Sequence, residues 1–395
     1  MPATTALIAG WARSAVVPYG GTFKGLRPHE IAAPVVQAVL HRAGVKPQMV
    51  DAIVVGNAMG AGGNPARMVA LAAQLPEHCA TYSVDTQCCS GLDAVTLAVG
   101  LLASGQASVV IAGGVEAWSR APIRMHRPTQ ASELPVAYER PAFSPDPSRD
   151  PDMLVSAARY ALDHGFTRAE QDAYAVRSHQ RAVAHQRDLS AEIVPVAGVQ
   201  HDLYPRPLDA RRVARMPAAV KSSELGKGWH QATCVDPDCS ISVISISAKA
   251  DGAAFVLLTS TQACERLNIR PQAAWLTGGS IGSAPETPLG AAKMAASAAM
   301  LRADVLSPEA LRVIELHDAF AVQGLSFCQN LALDTQRINR RGGGLARGHP
   351  IGASAAIALV RLLADLSQDE SPGARGLVAV AGAGGIGAAA IVERL

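Results

Sequence analysis

Two distant parts of the sequence share one order of elements, and this repetition constrains the fold more than any other feature. In the first part, the apolar runs Val50–Gly56 and Ser108–Gly113 end in glycine, as buried parallel strands do. Between them lies Gly91–Ala103, which is apolar over its whole surface and predicts a buried helix.

The last part of the chain follows the same order. Strand candidates at Val313–Leu316 and Gly376–Ala381 enclose an apolar helix at Ser354–Leu366. In both parts a loop of small residues leads into the helix. The pattern predicts two similar α/β halves, and a chain of 395 residues is long enough for more than one core.

The middle of the chain, from about residue 120 to 247, has a different composition. It carries many prolines, arginines and acidic residues and few long apolar runs. Its clearest element is an amphipathic helix at Arg168–Gln186, which Thr167 opens as N-cap with Glu170 three residues later. We expect an insertion domain that packs over the two halves.

Composition narrows the class of protein. Hydrophobic residues make up 49% of the chain and charged residues 17%, and the formal net charge of +2 does not favour nucleic-acid or membrane-surface binding. The seven cysteines, with Cys88 and Cys89 adjacent, form no disulfide framework and indicate a reducing compartment. Because the N-terminus has no signal-peptide pattern and no apolar run is long enough for a membrane span, we expect a cytoplasmic protein.

The segment Asp85–Val95 places Cys88 where a strand gives way to a buried helix. Unpaired N–H groups and the dipole of such a helix terminus stabilise an anion and lower the pKa of a thiol. Ser90 and Gly91 leave room for a thioester beside the backbone. Cys88 is therefore a candidate nucleophile, and a buried structural cysteine is the alternative.

A second segment, Asn339–Ala355, presents His349 between Gly348 and Pro350 in a loop of small residues. Such a loop can hold an imidazole in a cavity without filling the cavity with its own side chains. From the residues alone, a structural histidine is the alternative, because a single G-H-P tripeptide is weak support for catalysis.

Together with these two segments, several others resemble the motifs of the thiolase family, in family order and over almost the whole chain. The matching segments are Gly62–Leu71, Asp85–Val95, Val109–Ser119, Met153–Ala182, Ala250–Leu258, Asn339–Ala355 and Val380–Ala389. The resemblance implies a thiolase fold, in which two similar βαβαβαββ halves form a five-layered α/β/α/β/α body with an inserted loop domain.

The resemblance also divides the chain and implies an assembly. It assigns residues 1–119, completed by about 248–268, to the N-terminal half, 120–247 to the loop domain and 269–395 to the C-terminal half. It implies a homodimer or homotetramer, since the strand before the nucleophile commonly pairs across a twofold axis.

The family motifs imply a role for each matching residue. The cysteine of C-x-S-G, here Cys88, takes the acyl group as a thioester, and the histidine of G-H-P, here His349, activates the thiol as general base. The backbone N–H groups of Cys88 and Ala383 are implied to form an oxyanion hole. The substrate is then a coenzyme A thioester, with no permanently bound cofactor.

The sequence departs from the family pattern at the second catalytic cysteine. Ala381 replaces the cysteine of C-x-G, which acts as acid and base on the second substrate. Biosynthetic thiolases have N-E-A-F where this chain has His317, Asp318, Ala319 and Phe320. A subgroup related to sterol carrier protein X has H-D-C-F there and takes its second cysteine from that loop, but Ala319 occupies the place.

The remaining set, Cys88, His349 and His317, is similar to the Cys-His-His arrangement of decarboxylating ketoacyl synthases. Loss of a general base typically costs about 10²–10⁴-fold in rate. We therefore predict acyl transfer from an acyl-CoA through Cys88 to an acceptor, or condensation with an acceptor that makes its own carbanion. The alternatives are an ordinary 3-ketoacyl-CoA thiolase and a non-catalytic subunit that serves a partner protein.

Binding residues follow from the same resemblance. Ser247 and Met153 match positions that contact the cofactor arm and the acyl chain, although Asp152 replaces the usual histidine before Met153. A basic run could meet the CoA phosphates, with a solvated charged face as the alternative; it comprises Arg206, Arg211, Arg212, Arg215 and Lys221.

Two further patterns are not interpreted as sites. Gly382–Gly387 satisfies G-x-G-x-x-G, but too few residues follow it for a dinucleotide-binding unit, so we expect a backbone loop. Cys234 and Cys239 lack the second pair that a zinc site needs, and we expect no metal.

Overall fold

The computed structural model describes residues 6–60, 62–225, 238–369 and 371–395. Its strands are β1 Ala6–Ser14, β2 Val17–Pro18, β3 Ala52–Gly56, β4 Ala80–Val84, β5 Val109–Ala117, β6 Arg124–His126, β7 Val136–Tyr138, β8 Ile193–Val194, β9 Ala218–Val220, β10 Ile241–Ser242, β11 Ala250–Ser260, β12 Ala273–Gly282, β13 Val313–His317, β14 Arg375–Gly382 and β15 Ile386–Arg394. Its helices are α1 Pro28–Ala43, α2 Pro65–Ala72, α3 Ser90–Ala103, α4 Met153–His164, α5 Arg168–Ala184, α6 Gln186–Leu189, α7 Ala210–Val213, α8 Thr261–Leu267, α9 Ala291–Arg302, α10 Ala321–Asn330, α11 Gly344–Arg347 and α12 Ser354–Leu366.

One continuous sheet runs through both halves of the molecule, in the order β13-β14-β15-β12-β1-β11-β5-β3-β4. β1 joins the halves, because it pairs antiparallel with β11 on one side and with β12 on the other. Parallel pairs lie farther out, between β3 and its neighbours β4 and β5 in one half and between β13 and β14 in the other.

The sheet strands are covered on both faces, which gives the predicted α/β/α/β/α order. In β5, Val110 and Ala112 face a core that contains the apolar residues of α3 and α12. Val109 and Ile111 of the same strand face the opposite core, which α1 and α2 cover. A third core lies under α9 and α10 in the second half. The helices α3 and α12 therefore form the middle layer.

The predicted similarity of the two halves is confirmed, with one difference. The first half contains the complete order β1-α1-β3-α2-β4-α3-β5-β11. In the second half the third strand is reduced to a single bridge between Ile314 and Ile338. Asn339 follows with a φ of 48°, and this left-handed conformation prevents the extended chain from continuing.

The predicted elements of the halves are present and begin within two residues of the expected positions. β5 continues to Ala117, beyond the predicted end at Gly113, because it pairs with β11 along its whole length. The expectation that α3 is buried over its whole surface is wrong, since Leu97 is 52% exposed on its outer face. Among the described helices, none is both long and apolar enough to cross a membrane.

The middle segment contains two long helices, of which the periodicity singled out only the second. Gly165, with a φ of 73°, ends α4 in the left-handed conformation that glycine favours. Thr167 and Glu170 form the predicted capping box of α5. The division of the chain at residues 119, 247 and 268 stays a prediction.

Buried ion pairs fix the middle segment to both halves. Arg13 of β1 is fully buried. Its Nε lies 2.5 Å from a carboxylate oxygen of Glu192, and its Nη1 lies 2.7 Å from one of Asp202. Arg361 of α12 binds the other oxygen of Glu192. The carboxylates thus hold the segment after α6 against the first strand and the middle layer.

Candidate active site

Cys88 lies at the junction between the sheet and the middle layer of helices. β4 ends at Val84, and a short 3₁₀ turn at Gln87–Cys89 leads directly into α3. The backbone N–H of Gln87 donates to Asp85 Oδ1 at 3.0 Å, which stabilises this reversal of the chain. Cys88 is half-buried and occupies the strand-to-helix position that the sequence predicts.

His349 reaches the same place from the second half, in the loop before α12. Its backbone N–H donates to Ala248 O at 2.7 Å, and its side chain Nδ1 lies 2.7 Å from Ser354 Oγ. The Ser354 hydroxyl donates to Pro350 O at 3.0 Å. Because that proton is already used, Ser354 Oγ accepts from Nδ1–H, and the free lone pair of His349 is on Nε2.

The two side chains form a hydrogen-bonded pair. Cys88 Sγ lies 3.1 Å from His349 Nε2, although the residues are 261 positions apart in the chain. With Nε2 unprotonated, the thiol is the donor. This is the contact that a nucleophile and its general base require.

Burial sets the charge state of the pair. Burial raises the pKa of the Cys88 thiol to about 12 and lowers the pKa of His349 to about 4. The expectation that the helix terminus lowers the pKa of Cys88 is wrong, because desolvation of the thiolate outweighs the nearby N–H groups. At neutral pH the pair therefore rests as a thiol and a neutral imidazole, and the thiolate forms as the proton moves to His349.

A glycine-rich hairpin between β14 and β15 approaches Cys88 from the second half. A Cβ atom on Gly382 would lie 3.6 Å from Cys88 N. The backbone N–H groups of Ala383 and Cys88 both interact with the Cys88 sulfur and oppose the rise of its pKa. Their role as an oxyanion hole stays a prediction. Since this hairpin leads straight into β15, Gly382–Gly387 is the backbone loop that we expect and opens no helix.

His317, at the end of β13, is the third member of the predicted set. Its ring stacks on His349 with the centroids 4.5 Å apart. It is buried, and desolvation lowers its pKa well below the usual value, so it is neutral. Among the residues that the structure describes, none hydrogen bonds to its Nε2. The structure thus brings Cys88, His349 and His317 together.

Cys88 and His349 line a cavity of about 520 Å³ with mostly apolar walls. Ala319 and Ala381 line the same cavity. Both alanines therefore lie where a reacting substrate would be, and neither side chain can take a proton.

Two of the residues predicted to bind the substrate, Ser247 and Met153, line the cavity. The Ser247 hydroxyl donates to Gly344 O at 2.6 Å. Asp152, where the family has histidine, accepts a hydrogen bond from the backbone N–H of Leu154 at 2.8 Å and caps α4.

The basic run is not part of the cavity wall, which Arg206, Arg212 and Lys221 do not reach. The Arg206 guanidinium lies over the Tyr204 ring, and Lys221 Nζ lies 3.2 Å from Glu224 at the surface. The role of these side chains in binding CoA phosphates stays a prediction.

No metal site was expected, and no group of three or more metal-binding side chains occurs in the part of the chain that the structure describes. Cys239 is buried, and Cys234 lies outside the described residues.

Glu116 is a residue of the site that the sequence analysis missed. It is fully buried in β5 and accepts hydrogen bonds from the backbone N–H groups of Ala58, at 3.0 Å, and Gly352, at 2.9 Å. One carboxylate thus joins the chain after β3 to the turn before α12. Burial raises its pKa to about 7. A glutamate inside an apolar strand is the signal that could have found it.

Comparison with known proteins agrees with this geometry. Residues 6–262 match the family model for the thiolase N-terminal domain, and residues 269–394 match that for the thiolase C-terminal domain. An acetyl-CoA acetyltransferase of Cupriavidus necator is 32% identical over 99% of this chain and 100% of its own length, and one of Allochromatium vinosum is 32% identical over 97% of each.

Solved structures give the same result. The acetyl-CoA acetyltransferase of Bacillus anthracis superposes with a TM-score of 0.88 at 27% identity, over 99% of both chains. The Acat5 thiolase of Ascaris suum, solved in complex with coenzyme A, has a TM-score of 0.86 at 25% identity, over 99% of this chain and 100% of its own. The chain therefore belongs to the thiolase family and is an acyltransferase.

Proposed function

We propose that this enzyme forms an acyl-Cys88 thioester from an acyl-CoA and passes the acyl group to an acceptor. The observation that carries the proposal is the 3.1 Å contact between Cys88 Sγ and His349 Nε2 on the cavity wall. The sulfur attacks the thioester carbonyl while its proton moves to Nε2. The carbon–sulfur bond to CoA then breaks, and the leaving CoA thiolate takes that proton from His349.

The second half-reaction is where this chain differs from the family pattern. Ala319 and Ala381 line the cavity at both places from which a second cysteine is expected. We propose that the acceptor either attacks without carbon–carbon bond formation or forms its own carbanion, by decarboxylation or through an already acidic C–H bond. Neither route needs a cysteine base.

An ordinary thiolase reaction is the second candidate. It is favoured by the names of the relatives, which are acetyl-CoA acetyltransferases. In such a reaction His317, whose buried Nε2 has no partner among the described residues, or a water molecule would have to replace the second cysteine.

Thiolysis separates the two candidates. The purified enzyme is mixed with acetoacetyl-CoA and free CoA, and consumption of the ketoacyl thioester is followed. Because no cysteine base is present, we expect a rate about 10²–10⁴-fold below that of an ordinary thiolase measured in parallel. A rate equal to that of the reference enzyme would establish the ordinary reaction and exclude our proposal for the second half-reaction.

A third candidate is a non-catalytic subunit that serves a partner protein. The intact Cys88–His349 pair gives no support to it, since a scaffold has no chemical need for a thiol aligned with a base. Activity that appears only in a purified complex with another protein would favour this candidate.

We also propose that Ser247 contacts the arm of CoA and that Met153 contacts the acyl chain, since both line the cavity. A separate proposal is that two copies of the chain pair through β4. β4 is the last strand of the sheet, with Tyr82 46% exposed and Leu97 of the adjacent α3 52% exposed. An exposed edge strand with apolar side chains favours pairing with a second copy. Light scattering on the purified protein tests this, and a monomer at micromolar concentration would contradict it.

A further inference from the structure

The apolar cavity has a cationic end close to the reacting pair. Lys249 and Arg124 line it there, together with the ring of Trp118. The same three residues also line a second cavity, of about 390 Å³, so the two spaces meet at this point. A substrate that starts at Cys88 can therefore extend past these cations.

Arg124 forms no ion pair in the described parts of the chain, although Glu139 and Asp152 also line the cavity. Its Nη2 donates to Ala58 O at 3.1 Å and to Met59 O at 2.8 Å, which fixes the guanidinium. Nε and Nη1 have no protein partner among the described residues. A guanidinium held in this way keeps donors free for an anion, and a carboxylate fits such donors well.

The other two cations on this wall of the cavity, Lys249 and Arg140, each lie beside a carboxylate. Lys249 Nζ lies 3.3 Å from Glu139, whose side chain is 90% exposed, and 5.1 Å from the centroid of the Trp118 ring. Arg140 is paired with Asp150. Arg124 is therefore the group most available to a ligand, with Lys249 beside it as a weakly paired second cation.

Both cations belong to the reacting end of the cavity. Lys249 pairs with His349 in an isolated bridge. Arg124 donates to the backbone carbonyl of Ala58. The N–H of Ala58 and the N–H of Gly352, in the turn that follows His349, both donate to Glu116 Oε2. The phosphates of CoA are separated from its sulfur by the whole pantetheine arm, whereas the acyl chain begins at that sulfur. A group on the acyl chain is thus better placed to meet these cations.

We propose that the acyl donor is a dicarboxylic half-thioester, an acyl-CoA whose chain ends in a carboxylate that Arg124 binds with help from Lys249. This inference rests on the proposed acylation of Cys88. The phosphates of CoA are the other possible source of an anion, and the experiment distinguishes them from the acyl carboxylate.

The experiment measures acylation of Cys88 by intact-protein mass spectrometry with length-matched donors. Glutaryl-CoA is compared with valeryl-CoA, and succinyl-CoA with butyryl-CoA. We expect the dicarboxylic donors to react at least about tenfold faster at equal subsaturating concentration. The same preference is expected with the acyl-pantetheines, which carry no phosphate.

Variants assign the preference to its residue. Arg124→Met should make the two matched donors react at equal rates in that variant, and Arg124→Lys, which keeps the charge, should retain part of the preference. Arg127→Met is the matched control, because Arg127 follows the same short strand but does not line either cavity. It should leave the preference unchanged.

Three results would overturn the inference. They are equal acylation by matched donors in the unaltered enzyme, a preference that survives Arg124→Met because both donors are slowed by the same factor, as loss of a phosphate contact would, and a preference lost equally in Arg127→Met. If no donor acylates Cys88 at all, the proposed function itself fails.

Discussion

At the scale of single residues, the hydroxyl of Ser354 decides which nitrogen of His349 faces the thiol. It donates to Pro350 O and accepts from Nδ1–H, so that Nε2 is left as the acceptor for the thiol. Without it, the imidazole is free to turn or to take the other tautomer, which presents a proton instead of a lone pair to Cys88.

Replacing Ser354 tests this assignment. Ser354→Ala should lower the rate of Cys88 acylation by roughly 10²-fold, as loss of general-base assistance does. Ser354→Thr, which keeps the hydroxyl, should retain most of the rate. Acylation by Ser354→Ala at the original rate would show that the hydroxyl does not position His349.

The charge state of the pair leads to a prediction about pH. Because burial lowers the pKa of His349 to about 4, its lone pair stays available well below neutral pH. In a Glu116→Gln variant, which removes the site carboxyl whose pKa is about 7, acylation should therefore be constant between pH 5.5 and 7.5 and should fall only as pH approaches the lowered pKa of His349. A histidine with its ordinary pKa would give a change of roughly tenfold over that range, and this change in a stopped-flow or quenched-flow profile would contradict the account.

Residue types at the site could be predicted from the sequence, but their pKa values could not. The segments around Cys88 and His349 contain the small residues and the motif positions that identify them. The raised pKa of Cys88 depends on burial by elements of both halves, and the role of Glu116 depends on two distant backbone N–H groups. Such effects arise only when the chain is folded.

At the scale of elements, the reacting pair depends on a close approach between β5 and the turn before α12. A Cβ atom on Gly114 of β5 would lie 2.0 Å from Gly352 O. One on Gly56, at the end of β3, would lie 2.8 Å from the same oxygen. Glycine is required at both positions because no side chain fits between these backbones.

Gly114→Ala should therefore separate His349 from Cys88 by moving the turn. A displacement of about 1 Å at a reacting group costs roughly 10²-fold in rate, so we expect a loss of at least that size in acylation. Gly100→Ala is the matched control, because Gly100 lies in α3 with open space around its Cα and alanine favours the helix. Equal rates for the two variants would show that the close approach is not needed.

The elements themselves were predictable to different degrees. Apolar runs located β3, β13, β14 and α12, since a buried strand or helix needs a continuous apolar sequence. The same reasoning could not foresee that Ile338 makes only a single bridge, because the strand is stopped by the backbone conformation of Asn339. The apolar periodicity also did not indicate α4, which precedes α5 and has Gly165 as its C-cap.

At the scale of the whole molecule, buried charges join the middle segment to the sheet and the middle layer. Arg13 and Arg361 share Glu192, and Arg13 also binds Asp202 through two nitrogens, at 2.7 and 3.0 Å. Burial alone would raise the pKa of Asp202, but the charge and the hydrogen bonds of Arg13 hold this pKa below its usual value. Removal of Arg13 takes the ion-pair partner from the buried Asp202, while Glu192 keeps Arg361.

Arg13→Met should lower the free energy of unfolding by about 3–5 kcal/mol. Arg312→Met is the control, since the Arg312 side chain is 59% exposed and pairs with Asp369 at the surface, and it should cost less than about 1 kcal/mol. Urea unfolding monitored by circular dichroism measures both. Equal small losses would mean that the buried network does not hold the molecule together.

The measurement that tests the central claim most directly is the intact mass of the protein after exposure to an acyl-CoA. We expect the mass to rise by one acyl group in the unaltered enzyme and in Cys89→Ser, and not in Cys88→Ala. Peptide mapping should place the group on Cys88, the thiol in contact with His349. An adduct that forms undiminished in Cys88→Ala would contradict the account.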